Sequence, residues 1–219
     1  NSTGNYFGGN LHLINSGGNG FYPNLYGTAS YNGNIYVSGA GTGIISFGAN
    51  TGTSTLASGK TILEGSGGMT AGTLILRNFT KNGTTPINLD FASSGKLTIG
   101  PSSTINGALT FSGSDFYLNG CTFNYDVSFT KTGSSNDFSS GGNVFNGNTT
   151  FINNSSAHLY FANTTGDDFN GNVTFTQSST GLLYPGYNSS STYGGNITGN
   201  GSSNTEFGSG STLCRNILD

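Results

Sequence analysis

The side chains able to do acid–base chemistry are few. Nine acidic residues include Glu64, Asp90, Asp115, Asp126, Asp137, Asp167, Asp168 and Glu206, and hydrolysis of a glycosidic bond needs two carboxyl groups roughly 5–9.5 Å apart. Asp167-Asp168 is the single doublet. Neighbours on an extended backbone face opposite sides, so the doublet reads as a turn and not as a catalytic pair. Calcium favours carboxylates and turn carbonyls, but the glycine-aspartate nonapeptide of calcium-binding β-rolls is absent. His12 and His158 lie in distant parts of the chain, and no Ser or Cys has a His at a spacing that would build a nucleophile–base pair. No catalytic residue, metal site or cofactor is expected.

Charge narrows the partners further. Only 7% of residues are charged and the formal net charge is −3, so the basic stripe that neutralises phosphates is missing and nucleic acid is not an expected partner. No apolar run approaches the roughly 20 residues of a bilayer-crossing helix, and no membrane insertion is expected. The start, "NSTGNYFGG", has neither Met nor the regions of a signal peptide. The chain therefore reads as a mature piece of something longer. With 38 Gly and 32% hydrophobic residues it departs from ordinary globular composition, yet 16 Phe and 11 Tyr argue against disorder.

What must position these groups is a repeat. "FNGNTTF" at Phe145 returns as "FNGNVTF" at Phe169 and as "YGGNIT" at Tyr193. The same aromatic anchor stands at Phe7, Tyr31 and Phe123, with Ile105 as a weaker copy. Four and six residues past each anchor come apolar residues such as Leu11 and Leu13, Val127 and Phe129, or Val173 and Phe175. Polar residues lie between them, which is the alternation of a strand with one buried face. A second strand phrase follows 14 to 16 residues past the anchor, as in "FYP" at Phe21, "ISF" at Ile45, "LYF" at Leu159 and "LYP" at Leu183.

A unit of this length with no helical period cannot bury its own apolar face and must stack on its neighbours. The spacing predicts an all-β, right-handed parallel β-helix, or β-solenoid, of about 22–24 residues per coil. One such domain would span residues 1–219 as a fragment of a longer repetitive chain. Between residues 50 and 100 the period blurs, and irregular coils are expected there. An antiparallel sandwich would use the same short strands, but the equal steps favour the solenoid. Asn10, Asn34, Asn148, Asn172 and Asn196, three past each anchor, would form an amide ladder interrupted at Asp126 and Ala108, or would merely suit turn dihedrals.

The stack places the remaining candidates. Cys121 and Cys214 fall about four coils, or ~19 Å, apart, beyond the roughly 7 Å of a bridgeable pair, so both are expected as unpaired thiols. Thr150, Thr174 and Thr198 align outward, but His12, Tyr36 and Ser128 break the flat array an ice-binding solenoid would present. Tyr22, Tyr36, Tyr160, Tyr184 and Tyr187 project outward by alternation, and they are the candidate ligand-binding residues, since exposed aromatic rings suit sugar stacking.

"GTLILRNFTKNGTTPINLDF", "GKLTIGPSSTINGALTFSGSDFYLNGCTFN", "TKTGSSNDFSSGGNVFNGNTTFINNSSAHLYFANTTGDDFNGNVTF" and "STYGGNITGNG" resemble the repeat regions of giant cell-surface proteins of Bacteroidetes, the group containing the gliding-motility adhesins exported by type IX secretion. The resemblance implies a secreted, extracellular stalk or adhesive fibre at the cell surface, flanked by further repeats of the same chain. It implies surface polysaccharide or a solid surface as the partner. The final "TLCRNILD" carries no recognisable export signature, in keeping with a fragment.

Overall fold

A computed structural model describes residues 4–92, 94–201 and 217–218. Every regular element among them is a strand, and among the described residues no helix is long and apolar enough to cross a membrane. The chain winds through three faces per coil, and each strand pairs in parallel with the matching strand of the next coil. The anchor face is a ten-stranded sheet from Asn5–Phe7 to Ile217–Leu218. The second face carries Leu11–Ile14, Ile35–Gly39 and Ile62–Met69, then six strands from Ile87–Asp90 to Ile197–Gly201. The third begins with a bridge from Phe21 to Ile45. It continues through Ile44–Phe47, Thr73–Leu76, Lys96–Ile99 and Asp115–Leu118, then Asp137–Phe138, Leu159–Tyr160 and Leu183–Tyr184.

The repeated phrase can now be read letter by letter. Its first aromatic is core: Phe123, Phe145, Phe169 and Tyr193 stack face to face at 5.1, 4.8 and 5.1 Å. Its second letter makes an amide ladder, with Asn124 Nδ2 donating to Asn106 Oδ1, Asn146 to Asn124 and Asn170 to Asn146, at 2.6, 2.7 and 2.8 Å. The glycine sits where consecutive turns nearly touch, since a Cβ on Gly171 would lie 2.5 Å from the carbonyl oxygen of Gly147. The Asn that follows accepts from the coil above: the backbone N–H groups of Asn34, Asn172 and Asn196 donate to Oδ1 of Asn10, Asn148 and Asn172.

Two expectations change in detail. The second Asn row binds backbone and not neighbouring amides, so it needs only an acceptor. Asp126 therefore continues the row by accepting from the N–H of Asn148 at 2.8 Å. The stretch from 50 to 100 is regular in length, because the register runs Phe7, Tyr31, Leu56, Lys81, Ile105, Phe123, Phe145, Phe169, Tyr193, Leu218. Those positions step by 24, 25, 25, 24, 18, 22, 24, 24 and 25 residues. The period blurs because Leu56 and Lys81 occupy the aromatic column. Lys81 is fully buried and delivers its ammonium to the turn carbonyls of Gly83 and Asn82 at 2.7 and 3.4 Å; burial holds its pKa below the ordinary lysine value. One irregularity does fall here, a register shift between Val37 and Gly39 against the strand Ile62–Met69.

The core lies between the faces as a narrow apolar column. Phe129, Phe151 and Phe175 form a second file at 5.8 and 5.9 Å. It meets the anchor file edge to face, as where Phe145 and Phe151 cross at 88° and 5.7 Å. Outside, Thr150 pairs with Thr174 and Thr174 with Thr198 in one outward file, of which Thr150 and Thr174 are half-buried and Thr198 is exposed.

The close approach at the repeat glycines yields a stability test. Gly171→Ala must force apart two backbones and should cost about 1–3 kcal/mol in denaturant unfolding. Gly199→Ala, where a Cβ meets nothing within 4 Å, should be nearly neutral. Equal stability of the two variants would contradict the packing described.

Candidate functional site

The coil between Ile105 and Phe123 is the shortest, and it is shortened at the corner between the second and third faces. Only Ser114 separates Leu109–Gly113 from Asp115–Leu118. Residues 91–95 and 132–136 separate the equivalent strands in the coils on either side. The missing corner leaves a recess of about 160 Å³, lined among others by Lys96, Thr98, Asp115, Tyr117, Asn136 and Asp137.

A charged network closes its floor. Asp115 binds Lys96 Nζ at 2.7 Å and Lys131 Nζ at 2.6 Å. Lys131 is fully buried; it also donates to the carbonyl of Gly133 at 2.8 Å and lies 3.7 Å from Asp137 Oδ2. The backbone N–H of Phe116 donates to that same Asp137 oxygen at 3.2 Å. Burial pushes the Asp115 carboxyl up, but the hydrogen bonds and charges of Lys131 and Lys96 outweigh it and hold the group below its ordinary value. Asp137 goes the other way: burial first, and then repulsion from Asp115, push it up to about 7. Two carboxyls with pKa values driven apart are what general acid–base work requires. Here both are tied to one buried lysine and help to hold the shortened coil.

Thr98 and Tyr117 also border a second depression of about 360 Å³ on the same face, with Arg77, Asn78, Pro101 and Asn119. Tyr117 is thus a ridge between two hollows, and its hydroxyl is held by Ser140 Oγ. Arg77 is exposed and makes no ion pair among the described residues. Its stem lies across Gly100, where a Cβ would come 2.5 Å from Arg77 Cγ.

The five candidate tyrosines do not converge. Tyr22 is exposed on the first coil, and Tyr36 is half-buried beneath His12, whose ring stacks on it at 4.4 Å. Tyr160 and Tyr184 do not belong to the main apolar cluster, yet they are buried. The stack Phe138, Tyr160, Tyr184 has centroid spacings of 4.4 and 4.7 Å, and Tyr187 covers Tyr160 at 4.5 Å. Their faces are consumed by one another, so the ladder presents edges to solvent and not open sugar-stacking platforms. Tyr187 is itself half-buried.

Asp168, exposed, opens the strand Asp168–Phe169, while Asp167 is fully buried, so the two side chains face opposite sides. Asp167 Oδ1 accepts from the backbone N–H and from Nδ2 of Asn143 at 2.9 and 2.8 Å. Its Oδ2 is buried without a partner, and burial pushes the carboxyl from 3.8 to about 7. His158 is an acceptor, since Leu182 N–H donates to its Nδ1 at 2.9 Å. Cys121 is a buried free thiol pointing at the carbonyl of Ile99 at 3.0 Å, with burial pushing it up to about 12. Cys214 and Glu206 lie outside the described residues. Among the described residues, no group of three or more His, Cys, Asp or Glu side chains is placed to hold a metal ion.

Two measurements follow. A carboxyl whose pKa is raised on folding favours the native state most below its unfolded value, and that contribution is lost as pH rises towards 7. Asp167→Asn should therefore raise the melting temperature at pH 8, with the gain shrinking towards pH 4; a gain independent of pH would refute the assignment. Cys121 should resist iodoacetamide at pH 8 in the folded protein and react fully in denaturant without reductant, read on its own peptide by mass spectrometry. Protection that survives denaturation would instead reveal a disulfide. No protein family, curated protein or solved structure matches this chain.

Proposed function

We propose that this chain is a structural and adhesive segment of a secreted bacterial surface fibre, without catalysis, held among further repeats of the same chain at the cell surface. The observation that carries this reading is the unbroken parallel ladder of the anchor face, ten strands long. A stack of this kind has no natural length limit, because each coil offers the next the same backbone groups. Its outer surface supports the adhesive half: 7% charged residues and files of Thr, Ser and Asn make many weak, neutral contacts of the sort that suit polysaccharide or a solid surface. The resemblance to Bacteroidetes surface repeats supports the same reading and extends it to type IX secretion and gliding motility.

A carbohydrate-active enzyme on this scaffold is the second reading, favoured by the opposed shifts of Asp115 and Asp137. Against it stands the geometry of the pair, since Asp137 Oδ2 is engaged by a backbone N–H and Asp115 by two lysines. Binding to films of cellulose, pectin, chitin and bare silica on a quartz crystal microbalance tests the adhesive role, with release of reducing ends measured in the same samples. Binding without product formation is expected. Absence of binding to every film would sink the adhesive reading, and new reducing ends abolished by Asp137→Asn would replace it with the enzymatic one.

A further inference from the structure

We propose that the two hollows flanking Tyr117 form one binding groove for an acidic glycan, with a uronic acid carboxylate at Arg77 and a neighbouring sugar in the recess at Lys96, Asn136 and Asp137. The inference rests on the adhesive reading above and names its ligand.

The recess lies at the short coil, so within the described residues that half of the groove belongs to one place in the stack and not to every coil; the Arg77 hollow lies at the other end of the same strands. Three kinds of chemistry meet there. The aromatic ring of Tyr117 borders both hollows and is fixed by its hydrogen bond to Ser140. A ring held rigidly costs little entropy when a sugar lies against it. The recess alternates ammonium and amide donors with carboxylate acceptors, which matches hydroxyl groups that both donate and accept. Its charges are already paired off, Lys96 and Lys131 against Asp115 and Asp137, so it favours a neutral portion of the ligand.

The other hollow is different. Arg77 has no carboxylate partner among the described residues, and its stem is laid over Gly100 so that the guanidinium is presented at the groove. Its planar fork matches a carboxylate bidentately. The chain has only six Lys and Arg; Lys81 and Lys131 are buried, and Arg77 and Lys96 stand at opposite ends of this groove. At about 160 Å³ the recess is below the roughly 300 Å³ of a site enclosing a whole drug-sized ligand. It therefore suits one sugar unit of a chain that crosses the ridge.

Trigalacturonic acid and cellotriose, titrated into the purified protein by isothermal calorimetry, distinguish acidic from neutral recognition. Trigalacturonic acid should bind at least tenfold more tightly, and Arg77→Gln should remove that preference, as expected when a charge-assisted pair is lost. Tyr117→Phe should bind within about threefold of wild type, because it keeps the ring, and Tyr117→Ala should lose binding. Lys60→Gln, a cation outside the groove, should bind as wild type. Equal affinity for the two trisaccharides, no binding of either, or an unaffected Arg77→Gln would overturn the proposal. Binding to the pectin film that is undiminished in Arg77→Gln would leave the adhesive reading standing while this site falls.

Discussion

Everything in this molecule depends on the fixed rise between parallel strands. Coils must repeat every ~4.8 Å, and no face can relax that spacing without breaking the ladders on the other two. A side chain is tolerated only if its equivalents above and below accept that spacing. Flat rings do so by stacking, and the rings of Phe145 and Phe169 lie 4.8 Å apart. Amides do so by hydrogen bonding along the axis. Where the turns themselves must close to this distance no Cβ fits, which is why the repeated phrase contains glycine. The same constraint gives a chain with 32% hydrophobic residues a dry interior, since a column one or two side chains wide needs few of them.

The parts of the fold legible in the sequence were those that repeat. Phe145, Phe169 and Tyr193 announced both the coil length and the stacking, and the alternation after each anchor announced the inward face. Where a different residue satisfied the same constraint, the pattern hid. Leu56 and Lys81 fill the aromatic column without aromaticity, the lysine by burying its stem and exporting its charge to turn carbonyls. Asp126 replaces Asn because the position demands an acceptor and nothing more. The Asn row one past the anchor was visible in "FNGN", but nothing in composition distinguishes an amide that bonds its neighbour from one that caps a turn.

The candidate site was less legible, for a physical reason. Asp115, Asp137, Lys96 and Lys131 are dispersed in sequence, and their meeting depends on how the coils around Ile105 and Phe123 lose residues. The steps of 18 and 22 stood in the spacing of Ile105, Phe123 and Phe145; which corner they shorten did not. The tyrosines show the opposite limitation. Tyr160 and Tyr184 lie outside the main apolar cluster, yet lying outside it is not exposure when the equivalent positions one coil away also carry rings. Regular stacking turns a file of outward aromatics into a closed ladder.

Translational repetition and specific recognition pull against each other. In a perfect stack each surface contact recurs at every coil, so a ligand slides from one register to the next with little change in energy and is held by the number of contacts. A unique pocket requires the repeat to break, and a break costs buried polar groups that the neighbouring coils cannot satisfy in the usual way. The short coil resolves this with charge. At the short corner Lys131 reaches the backbone carbonyls of Ser114 and Gly133, at 3.3 and 2.8 Å, the first of which also accepts the Gly133 N–H at 2.8 Å. Its buried ammonium then requires Asp115, and the burial of Asp137 beside that pair raises its carboxyl. The ionic cluster thus sits where the coil is shortest, and the recess above it offers a partner a surface that the neighbouring coils do not repeat.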